Sequence, residues 1–473
     1  MHSILKPAPR KLRLLPLFAA TYFMVSGGPY GIEDIVGNAG FGWGIGILLI
    51  LPIVWSLPTA LMIGELASAI PSSGGFYVWV RRGMGPFWGY QESWLSLSAS
   101  IFDMALYPSI FVLYLGAFSP AVAAGWRGYA FKIAVVALCC VWNLLGAPKV
   151  GEDSVGLFAL LLLPFAVFLA LGLWRALVVH PAMHWARPIA SPGSNSALST
   201  AVLVALWNYM GWDNASTVAQ EVENPQRNYP RAMIGATAVV AVTYILPLAA
   251  MAVAGLSSPG FSTGDWTSAA RALGGPILAA CVVAGGCITG VGMFNALVMS
   301  YTRLPLAMAE DGLLPRVLIR INRRGAPWVS ILVCSAAWAL ALAVPFERLI
   351  SIDLILYGSS LILEFLALIL LRIREPQLPR PFKAGNLVFA CLLGVGPTAL
   401  IVYSLYASRT EKLGQPGTAL ASVSALAFAA AIALLGLPLY ALSTASRRPP
   451  VPEPAVPPLT PQPSPPAVSH SSH

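Results

Sequence analysis

Roughly twelve apolar stretches succeed one another along this chain, each near the ~20 residues that a helix needs to cross a hydrocarbon core about 30 Å thick. They fall at residues 14–38, 43–70, 87–118, 129–145, 155–174, 198–220, 232–256, 275–302, 327–344, 349–371, 387–406 and 418–442. Backbone amides inside a bilayer find no water, so a spanning segment must be a helix or part of a closed barrel. The runs are continuous and do not alternate with period two, which selects helices. Composition agrees: 57% of the 473 residues are hydrophobic and only 10% are charged, against about 25% in soluble domains. The expectation is an all-α integral membrane protein with about 12 transmembrane helices.

Two of these runs are interrupted in the same way. The first, 14–38, contains Ser26-Gly27-Gly28-Pro29-Tyr30-Gly31-Ile32-Glu33-Asp34, and the sixth, 198–220, contains Trp207-Asn208-Tyr209-Met210-Gly211-Trp212-Asp213-Asn214. Proline lacks a backbone donor and glycine tolerates non-helical backbone, so both runs are expected to unwind there. Unwound backbone survives in a bilayer only where it is packed in protein or lines a cavity. Broken helices at corresponding places in two halves point to a transporter with its site at the repeat interface. The organisation read from this is a cytoplasmic N-terminus at 1–13, a first inverted repeat at 14–174, a second at 198–371, and accessory spans at 387–442. Residues 446–473, dense in proline and nearly uncharged, read as a disordered cytoplasmic tail.

The net charge of +9 does not imply nucleic acid, because the basic residues are scattered between spans. With the N-terminus inside, roughly 20 of the Lys and Arg residues fall on the cytoplasmic side, among them Lys6, Lys11, Arg81, Arg82, Arg316, Arg372 and Arg447. Both termini are therefore expected in the cytoplasm and the protein in the cell inner membrane. The cysteines all sit in apolar runs without CxxC spacing, and His180 and His184 are separated by Pro181, so no metal site or cofactor is expected. The basic start followed by an apolar run resembles a signal peptide, but the run is too long for an h-region and is expected to be retained. No His lies in a span, which leaves no nucleophile or metal constellation for a membrane enzyme.

Acids inside spans are expensive, roughly 2.5–3.5 kcal/mol at mid-helix, and each needs a reason. Glu65 near the end of its span reads as structural, Asp34 as a gate, cap or ligand near the outer end, and Glu364 as a further acid in the tenth run. Glu33, Asp103 and Asp213 sit nearer mid-depth in spans that would meet at the pseudo-two-fold axis, with no basic residue at that depth. Acids facing one cavity suit a cationic substrate or a shuttling proton. Tyr30, Trp207, Tyr209 and Trp212 stand beside them at the breaks, where aromatic faces attract an amine. Trp43, Trp55 and Trp79 read instead as packing or interfacial residues.

At these residues the chain resembles the amino acid/polyamine/organocation superfamily, and within it the polyamine and L-amino acid uptake transporters. The matching stretches include Gly27-Gly-Pro-Tyr-Gly-Ile-Glu-Asp34, Gly74-Gly-Phe-Tyr-Val-Trp-Val80, Asp103-Met-Ala-Leu-Tyr-Pro108, Trp207-Asn-Tyr-Met-Gly-Trp-Asp213, Glu221-Val-Glu-Asn-Pro225, Met308-Ala-Glu-Asp-Gly-Leu-Leu-Pro315 and Leu363-Glu-Phe365. The resemblance implies the five-plus-five inverted-repeat fold, a site between spans one, three, six, eight and ten, and uptake of amino acids or polyamines, with protons as the favoured co-substrate. The substrate-binding set it supports is Gly27, Gly28, Tyr30, Gly31, Glu33, Asp103, Trp207, Tyr209, Gly211, Trp212, Asp213 and Asn295.

Two departures bear on the substrate. Asn295 stands where the polyamine carriers have Glu, which favours a less highly charged substrate, and Pro29 removes an amide that amino acid carriers use for the carboxylate. Gly27, Gly28 and Gly31 still offer amides at a half-helix N-terminus, so a carboxylate can be held. Three substrate classes stay open: polyamine, basic amino acid and neutral amino acid. The adjacent hydroxyl pair that sodium would need in span eight is missing, as Thr289 and Ser300 stand apart. A neutral amino acid permease or exchanger is one alternative, and a substrate sensor on the same scaffold is another. Glu221, close in topology to Arg81 and near Arg227, is expected to close the inward gate by charge pairing.

Overall fold

A computed structural model describes residues 11–182, 194–342, 346–410 and 423–445. The chain is helical: α1 (Leu14–Val25), α2 (Glu33–Leu51), α3 (Leu57–Ala69), α4 (Phe76–Met84), α5 (Pro86–Phe118), the single turn α6 (Pro120–Ala123), α7 (Gly125–Asn143) and α8 (Ala147–Val179). There follow α9 (Ser194–Asn208), α10 (Pro225–Val253), α11 (Trp266–Tyr301), α12 (Arg303–Glu310), α13 (Trp328–Ala341), α14 (Phe346–Arg374), α15 (Leu387–Ala407) and α16 (Ala425–Ala445). The proline-rich 446–473 and the first ten residues lie outside the described residues.

Among the described residues nine helical segments are long and apolar enough to cross a membrane, and α1 and α13 are shorter apolar helices. Leu163 and Leu177 of α8, Leu340 of α13 and Leu392 of α15 are exposed on the outside of the bundle. An apolar outer surface around a core that holds Glu, Asp and Arg is what a lipid solvent requires. The protein is an all-helical, multi-pass membrane protein.

Both interrupted runs are broken. Between α1 and α2 the backbone leaves the helix, with Gly28 at φ 70° and Gly31 at φ 92° on either side of Pro29. A second turn at Gly40, φ 77° and ψ 170°, separates the first span from the long helix that continues into α3. After α9 the chain unwinds through Tyr209 to Gly211, which has φ 89°. The half-span beyond it consists of two 3-10 turns, Trp212–Thr217 and Ala219–Glu221. Side chains compete for the backbone: Thr217 Oγ1 donates to the Asn214 carbonyl at 2.9 Å, and Ser300 Oγ of α11 does so at 2.8 Å.

The breaks touch. Asn208 Nδ2 donates to the Gly31 carbonyl at 3.0 Å, and a Cβ at Gly211 would lie 2.4 Å from the Met24 carbonyl oxygen. Around them α5 and α11 cross at the centre, α14 packs on α5, and α8 packs on α11. Small residues allow the close crossings: a Cβ at Gly286 of α11 would fall 2.2 Å from the ring of Tyr114.

Glu65 of α3 is fully buried and bound on all sides. It receives Arg372 Nε at 2.9 Å together with Arg372 Nη2, Arg380 Nε at 3.3 Å, and the Ala384 amide at 2.8 Å. The pairing ties α3 to the end of α14 and the loop behind it, so the structural role read from the sequence has a concrete form. Removing one partner of a buried pair strands the other charge. Glu65→Ala is therefore expected to lower unfolding stability by about 3–5 kcal/mol. Thermal unfolding of the purified protein in detergent checks this, and an unchanged melting point would show the pair to be dispensable.

Candidate substrate site

A small cavity lies where the two breaks meet. Met24 and Val25 at the end of α1 and Tyr30 of the first break form one wall, and Trp207, Asn208, Met210 and Gly211 form the facing one. Asp103 and Tyr107 of α5, Met293 and Tyr301 of α11, and Asp353 and Tyr357 of α14 complete it. Among the described residues no basic side chain lines it.

The two lining acids differ in their partners. Tyr107 donates to Asp103 Oδ1 at 2.5 Å, and Trp207 and Tyr301 also hydrogen-bond this carboxylate. Asp353 is buried, and its Oδ2 has no hydrogen-bond partner among the described residues. Tyr107 and Trp207 stack at 6.4 Å between ring centroids, tilted by 22°. Asp213 lies behind Tyr357, whose hydroxyl donates to Asp213 Oδ1 at 2.5 Å and accepts from the Gly211 amide at 3.0 Å.

Of the residues expected to bind substrate, Tyr30, Asp103, Trp207 and Gly211 line the cavity, and the others lie off its lining. Glu33 stands in the first turn of α2, where its carboxylate accepts from the Gly31 amide at 2.6 Å, the Gly264 amide at 3.1 Å and the Tyr114 hydroxyl. Free amides at a helix start attract a nearby carboxylate back onto the backbone, and this removes Glu33 from the cavity wall. The Gly28 amide is likewise committed, to Ser26 Oγ at 3.0 Å, and the Gly27 carbonyl accepts from Thr289 Oγ1 at 2.8 Å. The amides of Gly28 and Gly31, read from sequence as free to hold a carboxylate, are therefore occupied.

Tyr209 points away, donating to the Leu48 carbonyl at 3.0 Å. Trp212 is fully buried off the lining. Asn295 pairs with Asn143 of α7, whose Nδ2 reaches its Oδ1 at 2.7 Å. The sequence reading missed Tyr107, Tyr301, Tyr357 and Asp353. One signal for three of them was present: Asp103-x-x-x-Tyr107 and Asp353-x-x-x-Tyr357 repeat an acid and a tyrosine one helical turn apart, inside apolar runs.

Ion pairs stand at one end of the cavity, with partners other than those expected. Glu221 pairs with Arg303, at 2.9 Å from Nε and 2.8 Å from Nη2, and Arg81 pairs with Asp311, which also accepts from Tyr77 at 2.5 Å. Arg82 is bidentate on Glu375, at 2.8 and 2.6 Å. Arg227 is exposed and forms no ion pair among the described residues. Arg303, at the start of α12, is buried and also donates to the Met299 carbonyl at 2.5 Å. At the other end the loop before α11 is fastened over the first break. Thr263 Oγ1 donates to Asp34 at 2.6 Å, Trp266 Nε1 to the Pro29 carbonyl at 2.6 Å, and Tyr30 to the Val282 carbonyl at 2.6 Å.

A polar cavity bounded by two interrupted membrane helices defines a membrane transporter. The Amino acid permease family profile matches residues 17–445, and the chain belongs to that family. It is a transporter-family protein, not an enzyme. Among curated proteins it is 34% identical over 408 residues to Polyamine transporter PUT1 of Oryza sativa subsp. japonica, covering 85% of this chain and 75% of the rice protein. Polyamine transporter RMV1 of Arabidopsis thaliana is 33% identical over 394 residues, 83% of this chain and 79% of that protein. Uncharacterized transporter lpg1691 of Legionella pneumophila is 29% identical over 382 residues, 73% of this chain and 78% of that protein.

The tyrosine that joins Asp213 to the second break supports a prediction. Tyr357→Phe deprives a buried carboxylate and a buried amide of their shared partner and is expected to destabilise the protein by about 1–3 kcal/mol. Thermal unfolding with and without added substrate reads the effect, and an unchanged melting point would show that the hydroxyl is replaceable.

Proposed function

We propose that this permease takes up a polyamine across the cytoplasmic membrane by alternating access, in symport with protons, and that a basic amino acid is the second substrate class. The carrying observation is that Asp103 and Asp353 line one cavity whose other polar groups are Tyr hydroxyls, an indole and an amide. Two carboxylates without a basic residue among the lining attract a cation, and desolvated aromatic faces add about 0.5–2 kcal/mol. The start of α2 supports a substrate without a carboxylate. Its dipole end already holds Glu33 and Asp34, and its nearest amides are occupied, so an anionic group would meet like charge there. The polyamine transport named for two relatives agrees with this reading.

Packing supports an inverted repeat of residues 14–174 and 198–371. Renumbering each span by five exchanges contact partners: α3 with α10 maps onto itself, α5 with α11 onto itself, and α5 with α14 onto α11 with α8. In this reading 387–442 are accessory, and the basic-residue bias puts Glu221, Arg303, Arg81 and Asp311 on the cytoplasmic side as the inner gate.

Asp103→Asn and Asp353→Asn are each expected to weaken putrescine binding by about 1.5–3 kcal/mol, while leucine transport, if any, suffers less. Uptake of putrescine, arginine and leucine into proteoliposomes under an inward proton gradient tests this. Unchanged apparent affinities in both variants, or a wild type that prefers leucine, would overturn the cationic reading. Binding without accumulation would identify a sensor.

Glu221→Gln should release Arg303 and shift the population toward the inward-open state. Modification of a single cysteine placed at Val218 is expected to quicken by about tenfold, equivalent to about 1.4 kcal/mol. Equal rates in the parent and the variant would remove the gate assignment.

A further inference from the structure

Outside the cavity, and unused by the reading above, lies a second group of buried acids. Glu364 of α14 is fully buried, and neither of its carboxylate oxygens has a hydrogen-bond partner among the described residues. It lies within electrostatic reach of Asp213 and of Glu92 of α5, which is also fully buried. Glu92 is held by Ser96 Oγ at 2.8 Å and Ser93 Oγ at 3.3 Å.

Every cation on the elements packed against α14 at this end is committed elsewhere. Arg372 is bound to Glu65, Arg374 to the Gly83 carbonyl at 2.6 Å, Arg82 to Glu375, and Arg81 to Asp311. The titratable groups that face Glu364 are Asp213, Glu92 and, from its own helix, Tyr357. A buried ionised carboxylate without donors or counter-ion is far costlier than a protonated one. Among the described residues no three His, Cys, Asp or Glu side chains are gathered as metal ligands, and a proton alone suffices to neutralise a buried carboxyl that has no partner.

We infer that Glu364, with Glu92 beside it, is a proton-binding site of the transport cycle, separate from the substrate cavity and linked to it through Asp213 and Tyr357. The inference rests on the proton-symport reading and names the group that carries the proton. Glu364 takes up a proton from one side and gives it back on the other, and the substrate keeps its own protons throughout. Asp213 connects the two sites because it touches the cavity tyrosine and shares the field of Glu364. A cation in the cavity and a proton on Glu364 then stabilise the same arrangement of the second break, which is the differential binding that coupling requires.

The test uses full-length protein in proteoliposomes with labelled putrescine and labelled arginine. Two readouts are taken: accumulation driven by a pH gradient, and counterflow exchange without a gradient. Glu364→Gln is expected to lose accumulation at least tenfold and to keep counterflow within twofold of wild type. Accumulation equal to wild type would overturn the inference, and so would loss of counterflow in a reconstituted variant, since that marks a structural role. If Glu364→Gln does not reconstitute, Glu92→Gln is read in the same way: reduced accumulation with counterflow retained supports the site, and wild-type accumulation overturns it. A wild type whose accumulation ignores the pH gradient would instead refute proton symport itself.

Discussion

Backbone groups released at the two helix breaks lie where no bulk water can serve them, and the centre of the molecule is organised around supplying their partners. Ser26 and Glu33 receive the Gly28 and Gly31 amides, Thr289 and Trp266 reach the Gly27 and Pro29 carbonyls, and Asn208 reaches Gly31 from the other break. In the second break Tyr244 serves the Asn208 carbonyl at 2.6 Å, Trp55 that of Tyr209 at 3.0 Å, and Tyr229 that of Ala215 at 2.7 Å. An unmet backbone group in hydrocarbon costs several kcal/mol, so these side chains are as necessary to the fold as any helix. Because they come from the junction of α2 and α3 and from α9, α10 and α11, the breaks also hold the bundle together. A site that can open on either side needs such replaceable bonds at its hinge.

The same accounting sorts the buried acids. Glu65, Glu33 and Asp34 have their donors: a pair of arginines, a helix start with Tyr114, and a loop threonine. Those acids are consumed in holding elements together. Asp103 is bonded to cavity residues only, while Asp353 and Glu364 keep oxygens with no donor among the described residues. A protein retains unsatisfied charge in a low-dielectric interior where something else is to occupy it. In the proposed reading Asp353 serves the substrate and Glu364 the proton, and both stand on α14 where it packs against α5.

The all-helical membrane character, both breaks, the class of protein and the acidic character of its centre were legible in the sequence, because each depends on local composition, whereas about twelve spans were expected and nine helical segments long enough to cross are found among the described residues. Apolar length decides what enters a bilayer, and glycine with proline decides where a helix cannot continue. Trp207 could be placed for the same reason, lying beside a recognisable interruption, and Asp103 as an acid inside an apolar run. Which carboxylate stays free was decided only by tertiary structure, since it depends on donors far away in the chain. Glu33 is closed off by Tyr114 and Gly264, and Glu221 by Arg303 in place of Arg81. Asp353 and Glu364 lie on the same helix, α14, and only the packed bundle leaves oxygens of both without a donor among the described residues. A hydrogen bond is a property of two positions in space, and the sequence by itself states one of them.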